Sequence, residues 1–173
     1  LQTKLTYEVN STDNYNFLNK KFWAKIKELS KFYFRNSGMF KEGAIRAGAF
    51  SGLSHNEKKY NYQINLLLGS GQDVNSIDKF NGISISVNTL NPQSSGFINI
   101  KSNNPTEDPL IYPNYFDNIQ DLDKHIKGIE LIRKIGKTKP LSDIIIKEKI
   151  PGKSINTGDE IIDFIKDSST TIY

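Results

Sequence analysis
Residues able to move protons, attack carbon or hold a metal are few in this sequence. The 173-residue chain has no cysteine and two histidines, His55 and His125. Disulfides and thiolate metal sites are excluded, and a site built from several histidines nearly so. The Gly-x-Ser-x-Gly turn of a nucleophilic serine is absent, as is a phosphate-binding loop. Gly69-Ser70-Gly71 comes nearest to a dinucleotide turn. It lacks the third glycine and the following helix that would aim backbone amides at a pyrophosphate. Asp121/Asp123 and Asp159/Glu160 are acidic pairs, but both sit where helices should begin. Negative charge there complements the helix dipole, a simpler reading than paired-carboxylate catalysis. His125 falls on an expected helix and His55 in a polar loop, and each reads as a packed or solvated imidazole. The residues themselves therefore offer no catalytic group and no metal site.

The elements that would position a site are clearer. Leu5, Tyr7 and Val9 alternate with polar neighbours, the two-residue period of a strand. Leu18, Phe22, Ile26, Leu29 and Tyr33 recur at helical spacing to about Arg35, with Trp23, Phe32 and Phe34 widening the apolar face. Gly38 stands where a C-terminal cap would fall. The small-residue run 43–52 predicts a strand over 44–50, open to close backbone approach. A further strand is expected over 60–68, with Gln63, Asn65 and Leu67 on one face and Tyr62, Ile64, Leu66 and Leu68 on the other. Asp117 or Asn118 can cap a helix carrying Leu122, Ile126, Ile129 and Ile132, closed by Gly136. Pro140 starts a short segment through Ile146, Pro151-Gly152 is a turn, and Thr157 to Glu160 has capping-box spacing for a last helix. This pattern predicts one α+β domain over 1–173, an antiparallel β-sheet of about five or six strands with helices packed on one face.

Net charge is +4. Lys20, Lys21, Lys25, Lys27, Lys31 and Arg35 crowd one helix, and a solvated face is preferred over a nucleic-acid surface because no nucleic-acid motif accompanies them. No apolar run is long enough to span a bilayer and no signal peptide is visible, so a cytoplasmic protein is expected.

The most informative stretch is 82–116. Ile83, Ile85 and Val87 alternate with Ser84, Ser86 and Asn88, as in a strand with one buried face. Pro92-Gln93-Ser94-Ser95-Gly96 has turn chemistry, with Gly96 free to take a positive φ, and Ile98 and Ile100 alternate again. An antiparallel hairpin is expected. Pro105, Pro109 and Pro113 exclude a helix and favour an extended tail. The run Asn91-Pro92-Gln93-Ser94-Ser95-Gly96, then Ile98-x-Ile100-x-Ser102-x-x-Pro105, then Pro109-x-Ile111-x-Pro113-Asn114-Tyr115 resembles the glucose–methanol–choline (GMC) oxidoreductases. The continuation, Asp121-Leu122 opening a helix with Gly128-Ile129-x-Leu131-x-Arg133, is similar too.

The resemblance implies a substrate-binding domain whose parent protein moves hydride from an alcohol CH–OH to FAD. It implies that the FAD-binding domain and the catalytic histidine lie outside 1–173, the histidine beyond Tyr173. The chain alone is then expected to be inactive and to bind no FAD. A homodimer is compatible, and the alternative is a free-standing ligand- or partner-binding module left by a split gene. Three positions match the pocket of the family. Arg46, in Arg46-Ala47-Gly48-Ala49-Phe50, falls where choline-oxidising members have glutamate; Asn65 falls where some have a pocket histidine; Ile172 falls two residues before the catalytic histidine. An arginine at 46 would repel a trimethylammonium group, since a unit pair at ~4 Å and an effective dielectric near 20 is worth roughly 4 kcal/mol. A neutral or anionic alcohol is expected instead of choline.

Overall fold
Strand-period segments far apart in sequence join into one antiparallel sheet. The computed structural model describes residues 1–52, 59–71, 76–156 and 158–172. Its strands are β1 (Gln2–Val9), β2 (Ile45–Ser51), β3 (Tyr62–Leu67), β4 (Gly82–Thr89) and β7 (Ile145–Ile150), in the order β2-β3-β4-β1-β7. A separate two-stranded arm pairs β5 (Phe97–Asn99) with β6 (Leu110–Tyr112). The helices are α1 (Tyr15–Lys20), α2 (Phe22–Arg35), α3 (Ile119–Gly136), the short α4 (Leu141–Ile144) and α5 (Gly158–Ser168). The expected α+β fold is present.

The apolar positions of β1, β3 and β4 face α3 and α5. Leu5, Tyr7, Ile83, Ile85, Val87, Tyr62 and Ile64 form one core with Leu122, Ile129, Ile132, Ile161 and Ile165. Gly128 lets α3 sit close to the sheet, since a Cβ there would be 3.0 Å from both Tyr62 and Val87 side-chain atoms. Asn118 caps α3 by accepting from the Gln120 amide. His125 is fully buried under this helix, with Nε2 2.6 Å from Thr3 Oγ1 and Nδ1 2.5 Å from Thr89 Oγ1. Phe116 meets its ring edge-on at 5.3 Å. Burial pushes the imidazole pKa down from 6.5 to about 4, so the ring is neutral. His125 is thus a packed histidine; His55 and the capping-box Thr157 lie outside the described residues.

Four expectations are corrected. β4 and the strand after Gly96 form no hairpin; β4 pairs with β1 and β3, and β5 pairs with β6. The turn also differs. Asn91 carries the positive φ (54°), while Gly96 is required because a Cβ would lie 2.1 Å from the Tyr112 carbonyl oxygen. The single helix expected to Arg35 is two, broken at Lys21, whose extended backbone ends α1 and starts α2. The cap of α2 is Asn36 in the left-handed conformation, not Gly38. Beyond the short segment expected through Ile146, strand β7 runs on to Ile150, carrying charged side chains on both faces.

Candidate functional site
The alternation that gives the sheet an apolar face leaves polar side chains on the other. Register sets them in rows. Gly48, Asn65, Ser86 and Lys4 face one another across β2, β3, β4 and β1; Phe50, Gln63, Asn88 and Gln2 form the next row; Leu67, Ser84 and Thr6 form the one on the other side. Thr6, Asn65, Ser84, Ser86 and Asn88 are all buried. A surface sheet face normally carries long charged side chains, whereas the buried residues of this one are short and uncharged, with Lys4 at the β1 end of its row. Gln2 donates to Ser86 Oγ, Thr6 and Ser84 hydroxyls approach to 3.4 Å, and Ser84 Oγ donates to the Gly69 carbonyl at 2.9 Å. The Asn88 amide is buried with neither its oxygen nor its nitrogen hydrogen-bonded. Such an orphaned group calls for an explanation beyond stability.

At the Ser84 end, the 69–71 segment folds over the sheet. Between it, α1 and β3 lies a cavity of about 480 Å³ lined by Lys4, Asn16, Leu67, Ser70, Gly71 and Ser84, among others. Asn16 organises that wall. It is fully buried, its amide donates to the Ser70 carbonyl (3.0 Å), Ser70 Oγ (2.9 Å) and the Asp78 carbonyl (3.0 Å), and it accepts from the Ser70 amide (2.8 Å).

Of the three sequence-expected pocket residues, Asn65 stands at the centre of the polar face, between Gly48 and Ser86. Arg46 occupies a bulge in edge strand β2, and its guanidinium is ion-paired with Glu42. Ile172 follows Thr170, which exchanges two 2.9 Å backbone hydrogen bonds with Gln2, and is 41% exposed. Four residues along the sheet and three strands across it separate Arg46 from Gln2, or about 20 Å at ~3.4 Å per residue and ~4.8 Å per strand, and Ile172 lies two residues past the partner of Gln2, Thr170. The three therefore do not form one cluster: Asn65 is central, and the other two border opposite ends.

The motif residues turn out to be scaffold. Asp121, read as a helix-start charge, is buried and holds the 91–96 turn. Its carboxylate accepts from the Gln93 amide (2.9 Å), the Ser94 amide (2.6 Å) and Ser94 Oγ (2.7 Å). Burial pushes its pKa up, but the bonds from Ser94 and Gln93 outweigh it and hold the carboxyl below the usual range. Arg133 clasps Glu148 of β7 through Nε (3.1 Å) and Nη2 (2.7 Å), and Nη2 also donates to the Ile155 carbonyl. Ser84, Ser86 and Asn88 of the polar face were visible in sequence only as the polar half of a strand. Nothing local marked them as buried, because the strands covering their edges come from elsewhere in the chain. Among the described residues no group of histidine and acidic side chains could hold a metal, and no helix is long and apolar enough to cross a membrane.

This arrangement has known counterparts. Residues 92–173 match the family model described as GMC oxidoreductase. The chain is 30% identical over 146 residues to an alcohol dehydrogenase [acceptor] of Pseudomonas putida, covering 84% of this chain and 26% of that protein. It is 31% identical over 170 residues to the GMC oxidoreductase family protein Mala s 12 of Malassezia sympodialis, covering 95% of this chain and 27% of that protein. A formate oxidase structure from Aspergillus oryzae RIB40 superposes with a TM-score of 0.81 at 13% identity, over 96% of this chain and 34% of that one. The chain thus spans about a quarter of the length of these curated relatives. With the Pro92–Gly96 turn, the Asp121 anchor and the Gly128-to-Arg133 helix all falling inside the matched segment, residues 92–173 belong to the GMC oxidoreductase family.

Proposed function
We propose that residues 1–173 are the substrate-binding domain of an FAD-dependent oxidoreductase acting on alcohol CH–OH groups, and that the polar sheet face is the wall against which the alcohol lies. One observation carries this reading: a sheet packed on helices by one face presents, on the other, a patch of buried, short, uncharged side chains around Asn65, with the unpaired amide of Asn88 in the neighbouring row. Neutral donors and acceptors suit a hydroxyl group. Asn65 is assigned to the alcohol oxygen, with Gly48 beside it contributing no side chain that would block approach. Arg46 and Ile172 are assigned to opposite rims. The name of an alcohol dehydrogenase supports the reaction class, and that of a formate oxidase described by its FAD modification supports the cofactor.

The cofactor is assigned to a separate FAD-binding domain. The glycine pair nearest to a nucleotide turn does not fit a pyrophosphate: the Ser70 amide is bonded to Asn16, the Ser70 carbonyl accepts from the Asp78 amide, and Gly71 pairs with Ile77. His125, neutral and locked between two threonines, is unsuited to take the hydroxyl proton. The described residues thus orient and desolvate an alcohol, and proton removal is left to other parts of the protein.

Arg46 bears on which alcohol. Its ion pair with Glu42 cancels part of the charge facing the rim, so discrimination against a trimethylammonium group falls below the unpaired value of roughly 4 kcal/mol. A neutral alcohol is the assigned class. The test is flavin content and alcohol turnover of the purified chain after gel filtration with excess FAD. A colourless, inactive protein is expected, and in a polypeptide also carrying the FAD-binding domain Asn65→Ala should raise KM for the alcohol. Stoichiometric flavin with alcohol oxidation by the chain alone overturns the reading.

A further inference from the structure
Helix α2 is amphipathic the wrong way round. Its inward side is polar: Glu28 is buried, pairs with Lys31 and accepts from the Met39 amide at 3.0 Å. Its apolar side faces out. Phe22, Trp23, Tyr33 and Phe34 are 69%, 78%, 79% and 88% exposed, and Ile26 and Leu29 lie exposed between them. Helical spacing puts these six on one broad stripe. Lys25 and Lys27 border the stripe on its two sides, Lys20 and Lys21 lie just before the helix, and the acid on the helix, Glu28, is already neutralised by Lys31.

We propose that α2 lies in the surface of an anionic lipid bilayer, its aromatic stripe sunk among the lipid chains and its cations on the head groups. An aromatic and aliphatic face rimmed by lysine and arginine is the composition of an interfacial helix. Tyrosine and tryptophan suit the head-group level, and each cation near an anionic surface adds about 1 kcal/mol of attraction. A second copy fits less well, because a two-fold contact through this stripe would set the cations of one helix against those of the other. Single-stranded nucleic acid would use the cations and aromatics but leave Ile26 and Leu29, in mid-stripe, without a partner.

Trp23 is the one tryptophan of the chain, so its fluorescence reports the contact. Vesicles of mixed phosphatidylglycerol and phosphatidylcholine should shift its emission to the blue, pure phosphatidylcholine vesicles much less, and added salt should weaken the effect. Lys21→Glu with Lys25→Glu should lower vesicle affinity at least about tenfold, and Phe22→Ser with Phe34→Ser should abolish the shift. Both variants should keep the wild-type melting temperature, since these side chains lie outside the core. The proposal is overturned by any of four results: no shift with anionic vesicles; a shift that survives the lysine reversals; a shift produced by protein concentration or a single-stranded oligonucleotide alone; or recovery of the native polypeptide solely in the soluble fraction of its source.

Discussion

Mild acid should destabilise this fold through His125. The ring is fully buried, accepts and donates through two threonine hydroxyls, and titrates near 4 in the folded state against 6.5 when unfolded. The folded pKa is the lower one. Below pH 6.5 the unfolded chain binds a proton that the folded chain refuses, so stability falls as pH drops from 6.5 towards 4. At pH 5 the gap is about 1.5 pH units at 1.36 kcal/mol each, or about 2 kcal/mol; the full difference approaches about 3 kcal/mol near pH 4. For a chain of this length, 2 kcal/mol lowers the melting temperature by about 4–8 °C. The assay is calorimetric melting at pH 7, 6 and 5, on wild type and on His125→Gln, both in a His55→Gln background. Asp121 and Glu28, whose folded pKa values are lowered from the carboxylate range, lose their contribution at lower pH and leave this window to His125. The glutamine variant should be less stable at pH 7 but nearly flat down to pH 5. An equal slope in both proteins would refute the argument.

Asp121→Ala should cost about 3 kcal/mol, because it strips an ionised acceptor from the Gln93 and Ser94 amides; hydrogen exchange at those amides should quicken, while Asp123→Ala, on an exposed side chain paired with Lys127, should stay within about 0.5 kcal/mol. Arg133→Met should cost about 3–5 kcal/mol by leaving the Glu148 carboxylate, 6% exposed, without its cation. Adding Glu148→Met should recover part of that loss in urea unfolding, and a double variant as unstable as Arg133→Met would count against the pair being the cause.

Periodicity carried the main elements. The alternation in 3–9, 60–68 and 83–88 and the 3.6-residue pattern from Leu122 to Ile132 each correspond to an observed strand or helix. What failed was pairing. Residues 98–100 follow β4 after a turn and alternate as it does, so adjacency in sequence favoured a hairpin; the Asp121 carboxylate instead grips the turn at Gln93 and Ser94. Strand β7 was illegible because Ile-Ile-Lys-Glu-Lys-Ile has no clean alternation: its Glu148 pairs with the half-buried Arg133 instead of pointing to water. Helix α2 was legible as amphipathic, though not its break at Lys21, and its exposed apolar face was not legible, since a pattern shows that such a face exists and not what covers it.

The same distinction separates motif from site. Gly96, Asp121, Gly128 and Arg133 carry the family resemblance, and each is explained by a local steric or electrostatic need: contact with the Tyr112 carbonyl, the amides of a turn, two side chains of the sheet, one glutamate of β7. Their roles would be the same whatever the protein acted on. The polar face is the reverse. Ser84, Ser86, Asn88 and Asn65 are ordinary strand residues with no spacing of their own, and they come together only through the register of β1, β3 and β4. Stability alone would fill a central, buried strand face with valine or isoleucine, as the opposite face of β4 does with Ile83, Ile85 and Val87. Retaining an unpaired amide at Asn88 instead works against the fold. A sheet that forgoes packing on one face only, and at its centre instead of its edge, is shaped for something that docks there.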